Sequence, residues 1–342
     1  LEEILERCQD KRYLCCEENR IYLYSDYMDE EFISDFLTSF QTGMYPEEEE
    51  ILEGIENNEK EFGIEYAKKQ KEAIISFFEN DISLIVGGPG SGKTTIVKAM
   101  VSIFRECFPY SNLMVVAPTG RAAKRINEIC NVESKTIHSL LRWNKDNNTF
   151  VFDIENPLLY DAIIIDEFSM VDNSLFASLL KACGRVRKIC IIGDDNQLPS
   201  IRPGNLLEDL IRSERFPLTK LDVNYRQSKD NEIISLADDI IRRDVDLERY
   251  ERDIRFYEPL RSDFDLISLI KADMNEGYTL DDIQILSPMY KGEWGIDNLN
   301  ILLQTTFNPP SVSKNERKSG KYTYREADKI LQLKNRPTED VY

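Results

Sequence analysis

A single histidine, His138, serves the whole chain of 342 residues, and its seven cysteines form no CxxC pair. Zinc sites assembled from Cys and His at short spacings, and the disulfide frameworks of small secreted domains, both need what is missing here. The cysteines, including the adjacent Cys15 and Cys16, are therefore expected as reduced thiols. Long apolar runs are missing too, none approaching the roughly 20 residues that span a bilayer. Residues 1–10 carry Glu2, Glu3 and Glu6 in place of the basic start of a secretion signal. These absences point to a soluble protein of a reducing cytoplasm with no membrane partner. Basic residues are scarce: 43 Lys and Arg face 62 Asp and Glu, for a net charge of −19. Such a balance argues against a nucleic-acid partner, because phosphate binding is driven by Lys and Arg displacing counterions. The distribution of the charge weakens that objection. Residues 1–60 hold 18 Asp and Glu against 5 Lys and Arg, so 13 of the 19 surplus negative charges sit there. The densest run, Glu47 to Glu50, reads as a solvated linker.

What remains is long enough for two domains. Segment 1–63 is an acidic accessory stretch with short helical and strand-like patterns around Glu2 to Cys8, Ile21 to Leu23 and Glu30 to Phe40. From Ile64 the pattern becomes regular. Apolar runs at Ser83 to Val86, Leu113 to Ala117, Ala162 to Ile165 and Ile189 to Ile192 are each followed by turn residues and then helical spacing. Short continuous apolar runs alternating with helices are the mark of a buried parallel sheet with crossover helices, hence an α/β fold. A weaker strand pattern at Ile283 to Leu286, beyond a charged helical stretch near Asp238 to Arg255, predicts a second α/β domain. The expected division is 1–63, 64–255 and 256–342.

Gly87 to Thr94, GGPGSGKT, satisfies G-x-x-x-x-G-K-[ST] between an apolar strand and a helix. The candidate phosphate cradle is Gly88, Pro89, Gly90, Ser91, Gly92, Lys93, Thr94 and the helical Thr95. Its glycines let backbone N–H groups turn toward phosphates at a helix N-terminus. Lys93 supplies a point charge to the β and γ phosphates, and the Thr94 hydroxyl reaches Mg²⁺. Asp161 to Glu167 is an apolar strand ending in two acids, which assigns Asp166 to the metal and Glu167 to the attacking water. Both fall at a carboxyl strand end, where open α/β sheets bind ligands. Gln197, in the turn after Ile191 and Ile192, is placed to sense the γ-phosphate or to orient the water. The cofactors expected are ATP and Mg²⁺. Between these motifs, Arg142 to Phe152 reads as a hairpin, with aromatic arms around Asp146, Asn147 and Asn148.

In order, these blocks resemble the RecD-like branch of superfamily 1 DNA helicases. Gln70 in Tyr66 to Ile74 resembles the family's adenine-reading Q motif. Ala117 to Ala123 (APTGRAA) and Thr136 to Leu141 (TIHSLL) resemble its DNA-contact motifs, with Pro118, Thr119, Arg121 and His138 as the carried-over contacts. Asp166 to Asp172 resembles its Walker B segment, Gly193 to Ser200 its motif III, and Asn224 to Gln227 its motif IV, with Arg226 as an arginine finger. Leu286 to Ile296 resembles the opening of a second RecA-like domain. The resemblance implies a RecA-like P-loop NTPase sheet and an ATP hydrolase that walks 5′ to 3′ along single-stranded DNA. It also implies a hairpin that splits duplex junctions and a site closed within a monomer. Thr119 and Arg121 would hold backbone phosphates without reading bases. Family members continue into motifs V and VI, and the chain ends before either, so a piece of a longer motor is the expectation. The alternatives are a DNA-dependent loader or remodeller on one P-loop domain, and a scaffold that binds ATP without turnover.

Overall fold

A computed structural model describes residues 2–221, 232–250, 254, 256 and 265–330. The chain divides into two compact units between Asn231 and Glu232, upstream of the 255/256 boundary read from the sequence. In the first, α1 (Glu2–Asp10) precedes the hairpin β1 (Leu14–Glu17) and β2 (Arg20–Leu23), then α2 (Tyr24–Ser39), α3 (Glu48–Phe62) and α4 (Lys68–Glu79). The sheet core follows as β3 (Ile82–Gly87), α5 (Lys93–Cys107), β4 (Leu113–Ala117), α6 (Gly120–Cys130), β5 (Ser134–Thr136) and α7 (Ile137–Leu140). A small hairpin, β6 (Trp143–Asn144) and β7 (Thr149–Phe150), is inserted next. Then come β8 (Ala162–Ile165), α8 (Asn173–Lys181), β9 (Lys188–Gly193), α9 (Leu206–Ser213) and β10 (Leu218–Leu221).

The central sheet has six strands in the order β10-β3-β9-β8-β4-β5, and every pairing is parallel. Side chains alternate faces along each strand, so each strand supplies two cores. Leu84, Val86, Ile189 and Ile191 join one apolar cluster with α8 and α9, while Ile85, Cys190 and Ile192 join another with α4, α5 and α6. Phe77, Phe78 and Phe104 are fully buried in the second cluster, each contributing about 1.5–3 kcal/mol by leaving water. The α/β, P-loop sheet expected from the apolar runs is what forms.

Segment 1–63 belongs to this same unit. Ile33 and Leu37 of α2 are buried in the first cluster where α2 packs on α8, and Ile51 and Ile55 of α3 are buried in the second where α3 packs on α5. The glutamate run is no linker. Glu48, Glu49 and Glu50 form the first turn of α3, and the Glu47 N–H donates to Glu50 Oε2 at 3.1 Å in a capping box. Negative charge at a helix N-terminus meets the partial positive charge of the unsatisfied N–H groups, so the acids favour the helix.

Between these helices and the sheet lies Lys188, a fully buried lysine on β9. Its Nζ donates to the carbonyls of Phe78 at 3.1 Å and Asn80 at 2.7 Å, and sits over the Tyr45 and Phe77 rings. Burial pushes its pKa down to about 8, against the attraction of Asp81.

The second unit contains α10 (Glu232–Arg242), α11 (Leu266–Asn275), α12 (Ile296–Phe307) and the hairpin β11 (Glu316–Ser319) and β12 (Tyr322–Arg325). Gln304 on α12 donates to the Thr323 carbonyl at 2.8 Å and ties the hairpin to the helix. The strand expected at Ile283 to Leu286 does not form: the segment has no ladder partner among the described residues, and Leu286 is exposed. An apolar alternation specifies which face a strand buries, but without a neighbouring backbone it makes no sheet. No helix among the described residues is long and apolar enough to cross a membrane.

Candidate nucleotide and nucleic-acid sites

Strand register brings the motif-bearing turns together at the carboxyl end of the sheet. Val86 lies opposite Gly193, Gly87 opposite Leu221, and Ile165 opposite Ile191. The Gly88 to Gly92 loop, the Asp166–Glu167 pair and the Asp194 to Gln197 turn thus leave from three consecutive strands, β3, β9 and β8. Adjacent strands are about 4.8 Å apart.

Gly92 takes φ +89° where the loop enters α5, a left-handed conformation that a side chain would strain. Ser91 is buried and its Oγ donates to the Gly88 carbonyl at 2.9 Å. Lys93 Nζ folds back onto the same loop, donating to Gly88 O at 3.0 Å and to Gly87 O. A cation held by two loop carbonyls has exchangeable partners, and phosphate oxygens are stronger acceptors than carbonyls.

Asp166 is 6% exposed, and its Oδ1 accepts the Glu167 N–H at 2.9 Å. Burial, with the negative charge of Glu167, raises its pKa to about 6, while Lys93 and Arg125 pull the other way. A carboxylate so short of donors is suited to a cation. Among the described residues no cluster of three or more His, Cys, Asp and Glu could hold a metal. A divalent ion here would therefore rest on Asp166, the Thr94 hydroxyl and phosphate oxygens, which is how Mg²⁺ is usually bound. Glu167 adopts φ +54°, ψ +40°, an uncommon conformation for a side-chain-bearing residue. It turns the chain off β8 into a short 3-10 turn, Phe168–Met170.

Gln197 is exposed on the neighbouring turn and its Nε2 donates to Asp194 Oδ2 at 3.1 Å. Gln70 is buried in the first turn of α4, where its Oε1 accepts the Ala67 N–H at 3.0 Å. Arg226 lies outside the described residues.

The residues matched to DNA-contact motifs leave the same carboxyl end of the sheet, from its next two strands, β4 and β5. Ala117 of β4 lies opposite Thr136 of β5, so Pro118 to Arg121 and Ile137–His138 leave adjacent strands. Thr119 is the N-cap of α6, its Oγ1 accepting the Ala122 N–H at 3.3 Å, and Arg121 is exposed on the first turn. The hairpin read at Arg142 to Phe152 forms as β6 and β7, with Trp143 and Phe150 paired at 4.6 Å between ring centroids. His138 packs on both rings, at 6.0 Å and 5.7 Å. Loss of hydration there holds its imidazole below the ordinary value of 6.5, with Arg202 acting the same way and Asp172 opposing. His138 is thus engaged with the hairpin as well as lying at the β5 exit.

Sequence reasoning assigned no role to Asp194, though it sits inside the recognised block. The available signal was an acid following directly on a fully buried strand.

Residues 70–203 match the family model described as an AAA domain. The chain is 28% identical over 281 residues to the ATP-dependent RecD2 DNA helicase of Deinococcus radiodurans, covering 81% of this chain and 37% of that one. It is 30% identical over 233 residues to the RecBCD enzyme subunit RecD of Haemophilus influenzae, covering 60% and 36%. The chain therefore spans little more than a third of the length of these curated relatives. The crystal structure of the Pif1 helicase from Candida albicans aligns with a TM-score of 0.44 at 19% identity, covering 72% of this chain and 62% of that one.

Proposed function

We propose that this chain, which belongs to the RecD-like branch of superfamily 1, is the ATP-hydrolysing, strand-gripping part of a DNA helicase motor. The observation that carries the proposal is the parallel register: Val86 against Gly193 and Ile165 against Ile191 align the phosphate loop, the acid pair and the Gln197 turn. Lys93 exchanges its loop carbonyls for β and γ phosphate oxygens, and the loop N–H groups at the start of α5 take the remaining charge. Asp166 and Thr94 would hold Mg²⁺, which would neutralise charge on the phosphates. Glu167 accepts the proton of the attacking water as the water oxygen bonds to the γ-phosphorus and the bond to the β–γ bridging oxygen breaks. Arg226 is the finger on the transferring group, and Gln70 contacts the adenine.

The second site is the β4–β5 edge. Pro118, Thr119, Arg121 and His138 hold single-stranded DNA through its backbone, without sequence preference, and the β6–β7 hairpin meets the duplex junction. The motor acts as a cytoplasmic monomer moving 5′ to 3′. The test measures ATP hydrolysis by this chain with and without single-stranded DNA, then, in a longer protein that carries the chain through the next arginine motif, unwinding of forks bearing a 5′ or a 3′ tail. DNA-stimulated turnover that Glu167→Gln abolishes, with preference for the 5′ tail, is expected. DNA-stimulated hydrolysis without unwinding of either fork overturns the motor reading in favour of a DNA-dependent loader or remodeller.

A further inference from the structure

The turn after β9 is organised around one carboxylate. Asp194 is 1% exposed. Its Oδ1 accepts the Asn196 N–H at 3.0 Å, its Oδ2 accepts Gln197 Nε2–H at 3.1 Å, and its carbonyl accepts the Gln197 N–H at 3.3 Å. The turn is also fixed from outside. A Cβ on Gly193 would come within 2.6 Å of the Leu207 side chain, so strand β9 runs hard against α9 at the point where Asp194 leaves it. Asp195 is paired with Lys220 of β10 at 3.5 Å.

A carboxylate accepts hydrogen bonds and, ionised, donates none. The amide of Gln197 has therefore only one way to face Asp194, with its nitrogen inward, and the rest of the planar group follows. Oε1 is left as the free edge, on a turn that begins at Gly193, the residue paired with Val86 of the phosphate-loop strand. We infer that Asp194 is a positioning residue that presents Gln197 as a hydrogen-bond acceptor, so that Gln197 orients the attacking water rather than donating to the γ-phosphate. Gln197 takes no proton. It receives one hydrogen bond from the water, whose proton goes to Glu167. This inference rests on the reading of the site as ATP-hydrolysing.

The chain itself, the variants Asp194→Asn and Gln197→Glu, and the two combined are compared in three measurements. These are affinity for a fluorescent ATP analogue, kcat and KM for ATP, and, in the two chains that keep Gln197, the shift of its side-chain amide protons. In Asp194→Asn the new Nδ2 donates to Oε1 and turns the amide around, so the Gln197 amide resonances move. The kcat falls by about tenfold to a hundredfold, the size expected of a misoriented nucleophile, with ATP affinity within about twofold. Gln197→Glu alone sets two carboxylates against each other and loses rate as well. Combined with Asp194→Asn it restores a donor–acceptor pair, with a carboxylate oxygen on the free edge, and recovers most of the lost kcat. A wild-type rate in Asp194→Asn overturns the inference, as does an equal loss of affinity and rate, or a double variant no faster than the worse single one. A wild-type chain that hydrolyses no ATP overturns the reading of the site itself, a separate outcome.

Discussion

Lys93 Nζ donates to the carbonyl of Gly88 at 3.0 Å, five residues back along its own loop. The loop is thus closed on itself by the cation that its sequence assigns to phosphate. Removing that cation takes away one charge-assisted contact, about 1.5–3 kcal/mol. Lys93→Ala is expected to weaken Mg²⁺-ATP binding by about tenfold to a hundredfold. Glu167→Gln should bind as the wild type and fail to turn over. Titration with a fluorescent ATP analogue, read beside phosphate release, separates the two. Equal affinity in wild type and Lys93→Ala would remove Lys93 from the site.

Thr119 and Arg121 stand two residues apart and should fail in different ways. The Thr119 hydroxyl caps α6, so Thr119→Ala is expected to lower stability by about 1 kcal/mol. Arg121 is exposed, and Arg121→Ala should leave stability within about 0.5 kcal/mol. Its effect should appear instead in single-stranded DNA binding, as weaker affinity and a salt slope reduced by about 0.7. Anisotropy at several salt concentrations, with urea unfolding alongside, tests both. An unchanged slope in Arg121→Ala places the strand elsewhere.

His138 packs edge-on to Trp143, and only two tryptophans occur in the chain. In a Trp294→Phe background, emission from Trp143 reports the hairpin alone. The crowded imidazole resists protonation, so its folded pKa lies below the unfolded value of 6.5. Stability from this group is complete above 6.5 and is lost as pH falls through it, because the unfolded chain takes the proton first. Trp143 emission is expected to titrate with a midpoint below 6.5, and His138→Gln should abolish the transition. A midpoint above 6.5 would mean that Asp172 outweighs the loss of hydration.

The strands that carry the motifs were legible because they are buried on both faces and read as continuous apolar runs, as in Ala162 to Ile165. The two edge strands were not. Ser134–Thr136 is three residues long and polar, and Leu218–Leu221 places a lysine among its four. Partners in the sheet, which single-sequence patterns do not contain, decide such short segments. The same holds for Glu47 to Glu50, whose acids read as solvated until α3 is seen to bury Ile51 and Ile55 beneath them. At the candidate site, Lys93, Asp166, Glu167 and Gln197 are proposed from spacing, whereas the bond from Gln197 to Asp194 depends on a turn that spacing does not describe. Arg226 falls outside the described residues, and its role stands on sequence.

Lys188 offers a measurement that involves neither nucleotide nor DNA. Its pKa is pushed by burial from 10.5 to about 8. Below that value the lysine is charged in both the folded and unfolded chain, and folding carries the full cost of burying the ammonium, about 3 kcal/mol. Between about 8 and 10.5 the folded protein has released the proton and the unfolded chain still holds it. Stability rises with pH wherever the unfolded state binds more protons, so this cost fades over that interval. Lys188→Met carries no such titration. It leaves the Phe78 and Asn80 carbonyls without their donor, a penalty that does not change with pH. The stability of wild type relative to Lys188→Met should therefore grow between pH 7.5 and pH 10, by about 2–3 kcal/mol, and urea unfolding at the two pH values measures it. Subtracting the variant at each pH cancels the titration of every other group. A constant difference would show that the two carbonyls, the Tyr45 and Phe77 rings and Asp81 together hold the ammonium as well as water does.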